Sequence, residues 1–456
     1  MKVFDKFSGD EIADIPLAGS AELEQAIVAA VAVAPALAAM AAYERREVLL
    51  HCVRRFQERA EEMTKLVTRE SGKTLKESRA EVGRLIDTFE IAAEEAVRIG
   101  GEVMPLDRSP RCHGYTSFSR RVPLGPLSLI TPFNFPLNLV AHKIAPAIAA
   151  GCPFILKPAD STPLSALLIR DILAETRLPA GSFAILPMAV ADAAPLVDDE
   201  RLKMLSFTGS PAVGWELKRR AGKKRVCLEL GGNAAVIIDA DADLQAVLPR
   251  LLVGAYFQAG QSCVSVQRIC VHRSHLDELR RLLVPAVGNL RCGDPQDAAS
   301  DLGPMISEAE AKRLEAWIAE ACAGGARLLC GGVRSGNLMT PALLEDVPDS
   351  CPLSSCEAFG PVAILEAFDD FDALLSRLNR SRFGLQAGLF CRDLGKIMKA
   401  WKTLEVGALI VGDIPSWRSD AMPYGGVKDS GVGREGIRSA ILEMTEERLM
   451  VIREGN

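Results

Sequence analysis

Cys263 is the residue of this chain whose surroundings best suit nucleophilic chemistry. It follows the small and polar residues 260–262, which would let a substrate approach closely, and it precedes a β-branched run that predicts a strand. The thiolate of a cysteine in such a loop is a nucleophile. Because the chain has 12 cysteines and a free cysteine is most often a small buried hydrophobe, Cys263 alone does not establish a reaction.

Two polar residues at predicted strand ends add further chemistry. Glu229 interrupts the apolar run 226–230, and a buried carboxylate must be paired, protonated or functional, so it is a candidate general base or one half of a structural ion pair. Asn134 lies in the turn between the predicted strand 127–130 and a helix that starts after Pro136. Its amide could hold an oxyanion, and the alternative is an ordinary turn asparagine.

Composition limits the classes of protein. A length of 456 residues predicts two or three domains, and a net charge of −6 without a basic tract argues against nucleic acid as a partner. We expect no membrane span and no signal peptide, since no apolar run approaches 18 residues. The scattered cysteines form no Cys-x-x-Cys pair and the five histidines are dispersed, which argues against a disulfide framework and a metal site and fits a cytoplasmic protein.

The elements that must position these residues alternate between strand and helix. Three helices, predicted over 21–36, 42–71 and 74–100, precede alternating elements over 127–225 and again over 228–410. This pattern predicts an α/β fold with two doubly wound parallel sheets. The polar, alternating segment 111–122 suits a β-hairpin that reaches a partner subunit, and residues 449–452 resemble an interface strand.

The first alternating region has features that suit a nucleotide. Lys157 ends a predicted strand, where a cation can bind ribose hydroxyls, although a surface lysine is the alternative. Asp160 would repel a 2′-phosphate, which favours NAD over NADP. Ser210 and Pro211 suit a helix N-terminus that could bind a pyrophosphate, or could simply be a well-capped helix. Residues 431–436 match G-x-G-x-x-G, but they follow a glycine-rich loop rather than a strand, so we do not interpret them as a dinucleotide site.

Asn134, Glu229 and Cys263 together resemble the aldehyde dehydrogenase superfamily in their order and spacing. The resemblance covers nearly the whole chain, and several motifs in fixed order make it specific. The further matching motifs are Leu156-Lys157-Pro158-Ala159, Phe207-Thr208-Gly209-Ser210, Glu357-Ala358-Phe359-Gly360-Pro361 and Pro423-Tyr424-Gly425-Gly426.

The resemblance implies a domain plan and a homodimer or homotetramer. It predicts a cofactor-binding domain over 1–107 and 123–227, and a catalytic domain over 228–411. It also predicts an oligomerisation segment formed by 108–122 and 432–456. Residues 412–431 would be a return linker that lines the substrate mouth.

The resemblance also implies an NAD(P)-dependent oxidation of an aldehyde to its acid. Cys263 would form a thiohemiacetal and then a thioester, the Asn134 amide and the Cys263 backbone N–H would hold the oxyanion, and Glu229 would activate water. Lys143 would tune Glu229. The predicted cofactor-binding residues are Thr131, Pro132, Phe133, Lys157, Asp160, Gly209, Ser210, Leu230, Gly231, Glu357 and Phe359.

The predicted substrate is a small, anionic or hydroxylated aliphatic aldehyde. The candidate substrate residues are His142, Trp417 and Arg418, and a surface arginine is the alternative for Arg418. Arg120 is a weaker candidate that is better explained as a surface arginine. Two departures from the family pattern are Phe133, where a tryptophan is usual, and Leu186-Pro187-Met188, which lacks a common glycine. The alternatives are a cysteine hydrolase without nicotinamide, a coenzyme A-acylating relative, against which Glu229 argues, and a catalytically idle scaffold.

Overall fold

The computed structural model describes residues 1–454. Within them the helices α1 to α15 are Ser20–Ala39, Ala42–Glu58, Ala60–Ser71, Leu75–Ala96, Asn138–Ala150, Leu164–Ala174, Ala194–Asp198, Pro211–Arg220, Leu244–Tyr256, Arg273–Gly288, Glu308–Ala323, Pro352–Ser355, Phe371–Asn379, Leu394–Thr403 and Ile437–Glu443. The strands β1 to β22 are Lys2–Phe4, Glu11–Asp14, Val103–Pro105, Tyr115–Pro123, Leu127–Ile130, Phe154–Lys157, Phe183–Ile185, Met204–Thr208, Arg225–Glu229, Ala234–Ile238, Val266–His272, Arg327–Cys330, Arg334–Ser335, Leu338–Met339, Ala342–Glu345, Val362–Phe368, Phe383–Gly384, Gln386–Phe390, Ala408–Val411, Val427–Lys428, Gly431–Val432 and Thr445–Arg453.

A six-stranded sheet with the order β21-β9-β8-β5-β6-β7 contains the predicted nucleotide-binding strands. All its neighbouring strands are parallel except β21, which runs antiparallel to β9. Helices α2, α4, α5 and α6 contribute buried apolar residues to the core beside it, and so does α15. The core therefore places the strand ends after β5, β8 and β9, which precede Asn134, Gly209 and Gly231, at one edge of the sheet.

The second large sheet has seven strands in the order β12-β15-β16-β11-β10-β18-β19. Only β12 is antiparallel to its neighbour. Its core is built from helices α9, α10 and α11 against the apolar strands. Cys263 lies just before β11, in the middle of this sheet. The two mainly parallel sheets with helices on their faces confirm the predicted fold class.

Strand pairing corrects three sequence expectations. Segment 111–122 is not a hairpin of its own, because β4 is the central strand of a three-stranded sheet between β22 and β3. Glu229 is the last residue of β9 in the six-stranded sheet, so it is not part of the second sheet as the boundary at 228 implied. Residues 437–444 pack in the core of the first sheet through Ile437, Ile441 and Met444, so only β22 extends away. Residues 455 and 456 of the predicted oligomerisation segment lie outside the described residues.

The sequence predicted no segment that is long and apolar enough to span a membrane, but helix α1 is such a segment by length and composition. It has 20 residues and a mean hydropathy of 1.5 over its most apolar window. Core helices of globular proteins pass the same test. Two of its residues, Leu23 and Ile27, are fully buried and pack in a core cluster with Ile155 and Met188 of the first sheet.

Candidate active site

A cavity of about 960 Å³ lies between the two parallel sheets and brings the predicted catalytic residues together. Cys263, Glu229 and Asn134 all line it, although they come from a loop before β11, the end of β9 and the turn after β5. The other predicted residues that line it are Pro132, Phe133, Gly209, Ser210, Leu230, Gly231, Glu357, Phe359, Trp417 and Arg418.

The Cys263 thiol is half-buried and contacts a tyrosine. Its Sγ lies 3.1 Å from the Tyr424 hydroxyl. Burial raises the pKa of the Cys263 thiol to about 12, against a smaller lowering by the hydrogen bond with Tyr424. The protonated thiol therefore dominates at neutral pH in this state, and formation of the thiolate nucleophile requires a proton acceptor or a bound charge nearby.

Glu229 is buried and neither of its carboxyl oxygens has a protein partner among the described residues. Burial raises its pKa well above the usual value, and the nearby Glu435 raises it further. Gly425 passes so close that a Cβ there would lie 2.9 Å from Glu229 Oε1. A free carboxyl with high proton affinity, facing a cavity, is the kind of group that serves as a general base.

Glu435 and Lys143 form a buried ion pair beside Glu229. The Lys143 ammonium lies 2.9 Å from Glu435 Oε1 and also donates to the Ser206 hydroxyl at 2.8 Å. Burial, which raises the pKa of Glu435, is outweighed mainly by the charge of the Lys143 ammonium and by that of Arg418, so the net shift is downward. The Lys143 ammonium acts on Glu229 through its charge, which opposes the increase in the pKa of Glu229, and not through a direct bond, because its direct partner is Glu435.

Asn134 contacts the cysteine loop through its side chain. Its amide Nδ2 donates to the backbone carbonyl of Gln261 at 3.0 Å. An amide has two N–H groups, so one stays available for an oxygen in the cavity. The site also depends on a close approach at Gly232, where a Cβ would lie 2.1 Å from the Cys263 carbonyl oxygen, so the cysteine loop packs directly on the segment after Glu229.

Arg418 lies at the centre of a charged cluster next to the thiol. Its guanidinium stacks 3.8 Å from the centre of the Tyr424 ring, and its Nη2 lies 3.2 Å from His142 Nε2. Asp420 binds His142 at 2.8 Å and Arg84 through two bonds, at 2.6 and 3.2 Å. Arg418 and Arg84 line the cavity, whereas His142 lies behind Arg418 and is fully buried.

The cluster has a net positive charge. Burial and the charge of Arg418 lower the pKa of His142, so the imidazole is neutral at pH 7. Burial, which raises the pKa of Asp420, is outweighed by the hydrogen bonds from His142 and Arg84, so this residue is a carboxylate. Two guanidinium groups therefore face one carboxylate. Arg418 Nε is buried and makes no hydrogen bond within the described residues, although it lies 3.7 Å from Asp420 Oδ1.

Small residues and unpaired polar atoms line the part of the cavity between the sheets. Gly231 has no room for a Cβ, which would lie 2.5 Å from Glu357 Oε2, and Glu357 accepts the Gly232 N–H at 2.9 Å. Burial raises the pKa of Glu357 to about 7. Ser210 precedes helix α8 but makes no side-chain capping bond, and the buried Thr208 Oγ1 lacks a partner in the described chain. Phe133 and Phe359 form an edge-on pair with ring centres 5.8 Å apart.

Three predicted cofactor residues do not line the cavity. The Lys157 ammonium pairs with the Asp160 carboxylate at 2.6 Å. The next residue in sequence, Ser161, does line the cavity. Thr131 is buried at the end of β5. The candidate substrate residue Arg120 is exposed on β4, opposite Arg448 in the three-stranded sheet, and it does not line the cavity.

Sequence reasoning missed Tyr424, Glu435, Asp420 and Arg84. Tyr424 belongs to the motif Pro423-Tyr424-Gly425-Gly426, and the two glycines of this motif indicate that the backbone there packs closely against another part of the chain. Glu435 lies inside the G-x-G-x-x-G match, which drew attention to the glycines. A second group of potential ligands, Asp239, Asp241 and Cys391, has ligand atoms within 4.8 Å of one another, but the Lys396 ammonium pairs with Asp239 at 2.6 Å. The absence of a metal site stays a prediction.

Comparison with known proteins identifies the family. The aldehyde dehydrogenase family matches residues 1–450, so this chain belongs to it and is an oxidoreductase. The chain is 41% identical over 454 residues to a 3-sulfolactaldehyde dehydrogenase of Priestia megaterium, with 99% of this chain and 94% of that protein covered.

Solved structures agree with this assignment. Aldehyde dehydrogenase 21 from Physcomitrella patens, in complex with the reaction product succinate, superposes with a TM-score of 0.98 at 48% identity and covers 99% of this chain and 95% of its own. A glyceraldehyde-3-phosphate dehydrogenase from Methanocaldococcus jannaschii, complexed with NADP, gives a TM-score of 0.95 at 34% identity, covering 100% and 99%.

Proposed function

We propose that this enzyme oxidises a small aliphatic aldehyde with an anionic group to the carboxylic acid, with Cys263 as nucleophile, Asn134 as oxyanion donor and Glu229 as general base. The observation that supports this most directly is that these three side chains line one cavity although they are distant in sequence. A cytoplasmic location fits this reaction, because a reducing compartment keeps the thiol free and all 12 cysteines are free in the structure.

The steps follow from the positions of the chain's own groups. The thiolate form of Cys263 adds through Sγ to the aldehyde carbon. The resulting oxyanion accepts hydrogen bonds from the free N–H of the Asn134 amide and from the Cys263 backbone N–H. As the oxyanion collapses to a carbonyl, hydride would leave the carbon for the acceptor that a bound nicotinamide supplies, and a thioester to Cys263 remains. Glu229 then takes a proton from water, the hydroxide adds to the thioester, and the Cys263 thiolate leaves as the acid forms.

The residues around Gly231 and Ser210 fit a nicotinamide dinucleotide, which supplies the acceptor for the hydride when it is bound. The absence of a Cβ at Gly231, the unpaired Thr208 hydroxyl and the free start of helix α8 suit a ligand with hydroxyl and pyrophosphate groups. Leu230, Gly209, Pro132, Phe133, Glu357 and Phe359 complete that wall. Thr131 is buried directly after β5 and would support the turn that carries Pro132, Phe133 and Asn134.

We favour NAD over NADP. The Asp160 carboxylate lies next in sequence to Ser161, which lines the cavity, and it pairs with the Lys157 ammonium. Because the charge of Lys157 is neutralised in this pair, it would not be available to bind a 2′-phosphate.

We propose that the domains follow the sheets. The cofactor-binding domain is built around the six-stranded sheet, the catalytic domain around the seven-stranded sheet and the oligomerisation segment around β3, β4 and β22.

The anionic substrate is supported by the charged cluster around Arg418. The guanidinium groups of Arg84 and Arg418 carry two positive charges and Asp420 carries one negative charge, so one positive charge is left that a monoanion would neutralise. Arg418 lines the cavity, as Cys263 does. The relatives act in the same chemical class, since sulfolactaldehyde carries a sulfonate, succinate carries carboxylates and glyceraldehyde 3-phosphate carries a phosphate. Trp417, half-exposed at the mouth, and His142, behind Arg418, would shape and orient this subsite.

The substitution Glu229→Gln tests the mechanism. We expect one equivalent of reduced cofactor per subunit to form in a burst, followed by turnover that is about 100-fold or more slower, because the thioester forms but water is no longer activated. The measurement is stopped-flow absorbance of reduced nicotinamide with a short aldehyde, and Cys263→Ser, which should show no burst, is the control.

Three outcomes would contradict the proposal. Unchanged turnover of Glu229→Gln would remove the base role. Rescue of its turnover by coenzyme A would favour the acylating alternative. Ester hydrolysis by the unmodified enzyme, with no cofactor reduction by any short aldehyde, would favour the hydrolase.

A further inference from the structure

We propose that Glu77 and Glu81, on one face of helix α4, are positioning residues that hold the nucleophile and the oxyanion donor at their working separation. We call residues 257–263 the nucleophile loop and residues 131–138 the oxyanion loop. The inference rests on the proposed function, because it assumes that Cys263 and Asn134 act on the same substrate. Neither glutamate has an assigned part in the reaction steps.

Glu81 binds the oxyanion loop. Its Oε1 accepts the backbone N–H groups of Leu137 and Asn138 at 2.9 and 3.1 Å, where helix α5 begins directly after the turn with Asn134. Its other oxygen pairs with the buried Lys73 ammonium, which also lies over the Phe135 ring of the same loop. A carboxylate at a helix N-terminus is stabilised by the free N–H groups there, so Glu81 fixes where this loop ends.

Glu77 binds the nucleophile loop. Its Oε1 accepts the backbone N–H of Gln258 at 2.5 Å, and its Oε2 accepts the Thr74 N–H at 2.9 Å. Gln258 and Ala259 both have left-handed backbone conformations, with φ of 56° and 50°. Residues other than glycine keep such a conformation only where the surroundings enforce it. The bond from Gln258 to Glu77 is one such constraint, five residues before Cys263.

The two loops are also bonded directly to each other. The Gln258 side-chain amide donates to the Asn134 backbone carbonyl, and the Asn134 side-chain amide donates to the Gln261 carbonyl. Residues 77 and 81 are four apart in a helix of 22 residues, so their side chains project from the same face at a fixed spacing. One rigid helix therefore sets the relative position of both loops, and both glutamates are almost fully buried.

A third buried glutamate provides a matched control. Glu70 on α3 accepts the backbone N–H groups of Leu164 and Ser165, both at 2.9 Å, at the start of helix α6. Its chemistry is the same as that of Glu81, but its partners belong to neither loop. Removal of Glu70 should reduce stability without moving Cys263 or Asn134.

The test compares Glu77→Ala, Glu81→Ala and Glu70→Ala by two rates. The first rate is alkylation of Cys263 by iodoacetamide without cofactor, followed by peptide mass mapping, which requires the thiol but no oxyanion donor. The second is the burst rate of reduced cofactor with a short aldehyde, which requires both. Circular dichroism and thermal melting confirm that each variant is folded.

We expect the two glutamates to give different patterns. Glu77→Ala should lower both rates about 10-fold or more, because misplacement by about 1 Å is enough to lose such a factor. Glu81→Ala should lower the burst rate about 10-fold or more but keep alkylation within about twofold, and Glu70→Ala should keep both within about twofold. If an alanine variant does not fold, Glu77→Asp or Glu81→Asp, with the carboxylate withdrawn by one methylene, should show the same pattern.

The proposal is overturned if folded Glu77 and Glu81 variants keep both rates within about twofold of the unmodified enzyme, or if Glu70→Ala loses as much as they do. Failure of the proposed function is separate, since it would appear as an unmodified enzyme that reduces no cofactor. In that case the alkylation rate of Glu77→Ala still decides the role of Glu77.

Discussion

Arg418 links several groups of the candidate site through its guanidinium. It covers the Tyr424 ring, touches His142 and lies 3.7 Å from Asp420. Burial raises the pKa of the Cys263 thiol and of the Glu229 carboxyl, and the charge of Arg418 opposes both increases without reversing them. The same cation would therefore favour the ionised forms of the proposed nucleophile and base and attract the proposed anionic substrate. Binding of that anion would offset part of the charge, so substrate recognition and thiol ionisation would be linked through one side chain.

Replacement of Arg418 by alanine should separate anionic from neutral substrates. We expect kcat/KM for succinate semialdehyde to fall about 10- to 100-fold and that for butanal to change at most about threefold, since a charge-assisted contact is lost only with the anion. Steady-state assays of both aldehydes provide the measurement. Arg273→Ala, which removes an exposed arginine paired with Asp369, is the control for the charge change. Equal loss for both aldehydes would reject the anionic subsite.

Strand β22 carries a run of exposed apolar residues. Its consecutive residues Leu449, Met450, Val451 and Ile452 are each about half-exposed, at 51, 55, 48 and 47%. It is also an edge strand of its sheet, so its outer backbone groups lie unpaired within the described chain. Edge strands with apolar side chains are normally covered by another chain. A second copy of this protein is the occupant that fits the proposed homo-oligomer.

Charge on this strand should break the oligomer. We expect the double substitution Leu449→Glu and Val451→Glu to reduce the mass in solution from a multiple of 49.0 kDa to 49.0 kDa, because burying two carboxylates at an interface is costly. Light scattering after size-exclusion chromatography measures the mass. Val190→Glu, on an apolar residue that is 76% exposed elsewhere, should leave the mass unchanged. An unmodified protein already at 49.0 kDa would contradict the proposal.

Local pattern was enough to predict most parallel strands and helices, but it did not predict partners. The alternation in 111–122 indicated a strand, yet its pairing with β22 joins residues more than 300 positions apart, which periodicity cannot show. Strands β10 and β18 were not predicted, since short apolar runs do not distinguish strand from buried helix. Asn134, Glu229 and Cys263 were found because motifs marked them, whereas Asp420, Arg84, Glu77 and Glu81 act through contacts that exist only in the folded chain.

At the scale of the whole molecule, the cavity joins two separately built sheets. Gly209 and Ser210 follow a strand of the six-stranded sheet, and Glu357 and Phe359 precede a strand of the seven-stranded sheet, so a ligand in the proposed dinucleotide site would touch both. A ligand that binds only the assembled pair of sheets stabilises the folded chain in proportion to its affinity.

Cofactor binding should therefore raise the melting temperature, and NAD should do so more than NADP. At 1 mM cofactor we expect an increase of roughly a few degrees with NAD, which corresponds to about 2 to 3 kcal/mol for a ligand near 100 times its Kd. Asp160→Ala should narrow the difference between the two cofactors, because the carboxylate that repels the 2′-phosphate is gone. Differential scanning fluorimetry measures both. A larger increase with NADP for the unmodified enzyme would refute the NAD preference.

The wall of the cavity is drawn from residues as far apart as Glu77 and Glu435, near the two ends of the chain. During synthesis the ribosome must therefore release almost the entire polypeptide before Glu435 can meet Lys143 and Arg418 can cover Tyr424. A nascent chain stalled after the second sheet would have its reactive thiol in place but lack the neighbours that restrain it. The complete cavity is therefore one of the last features of this chain that can form during synthesis.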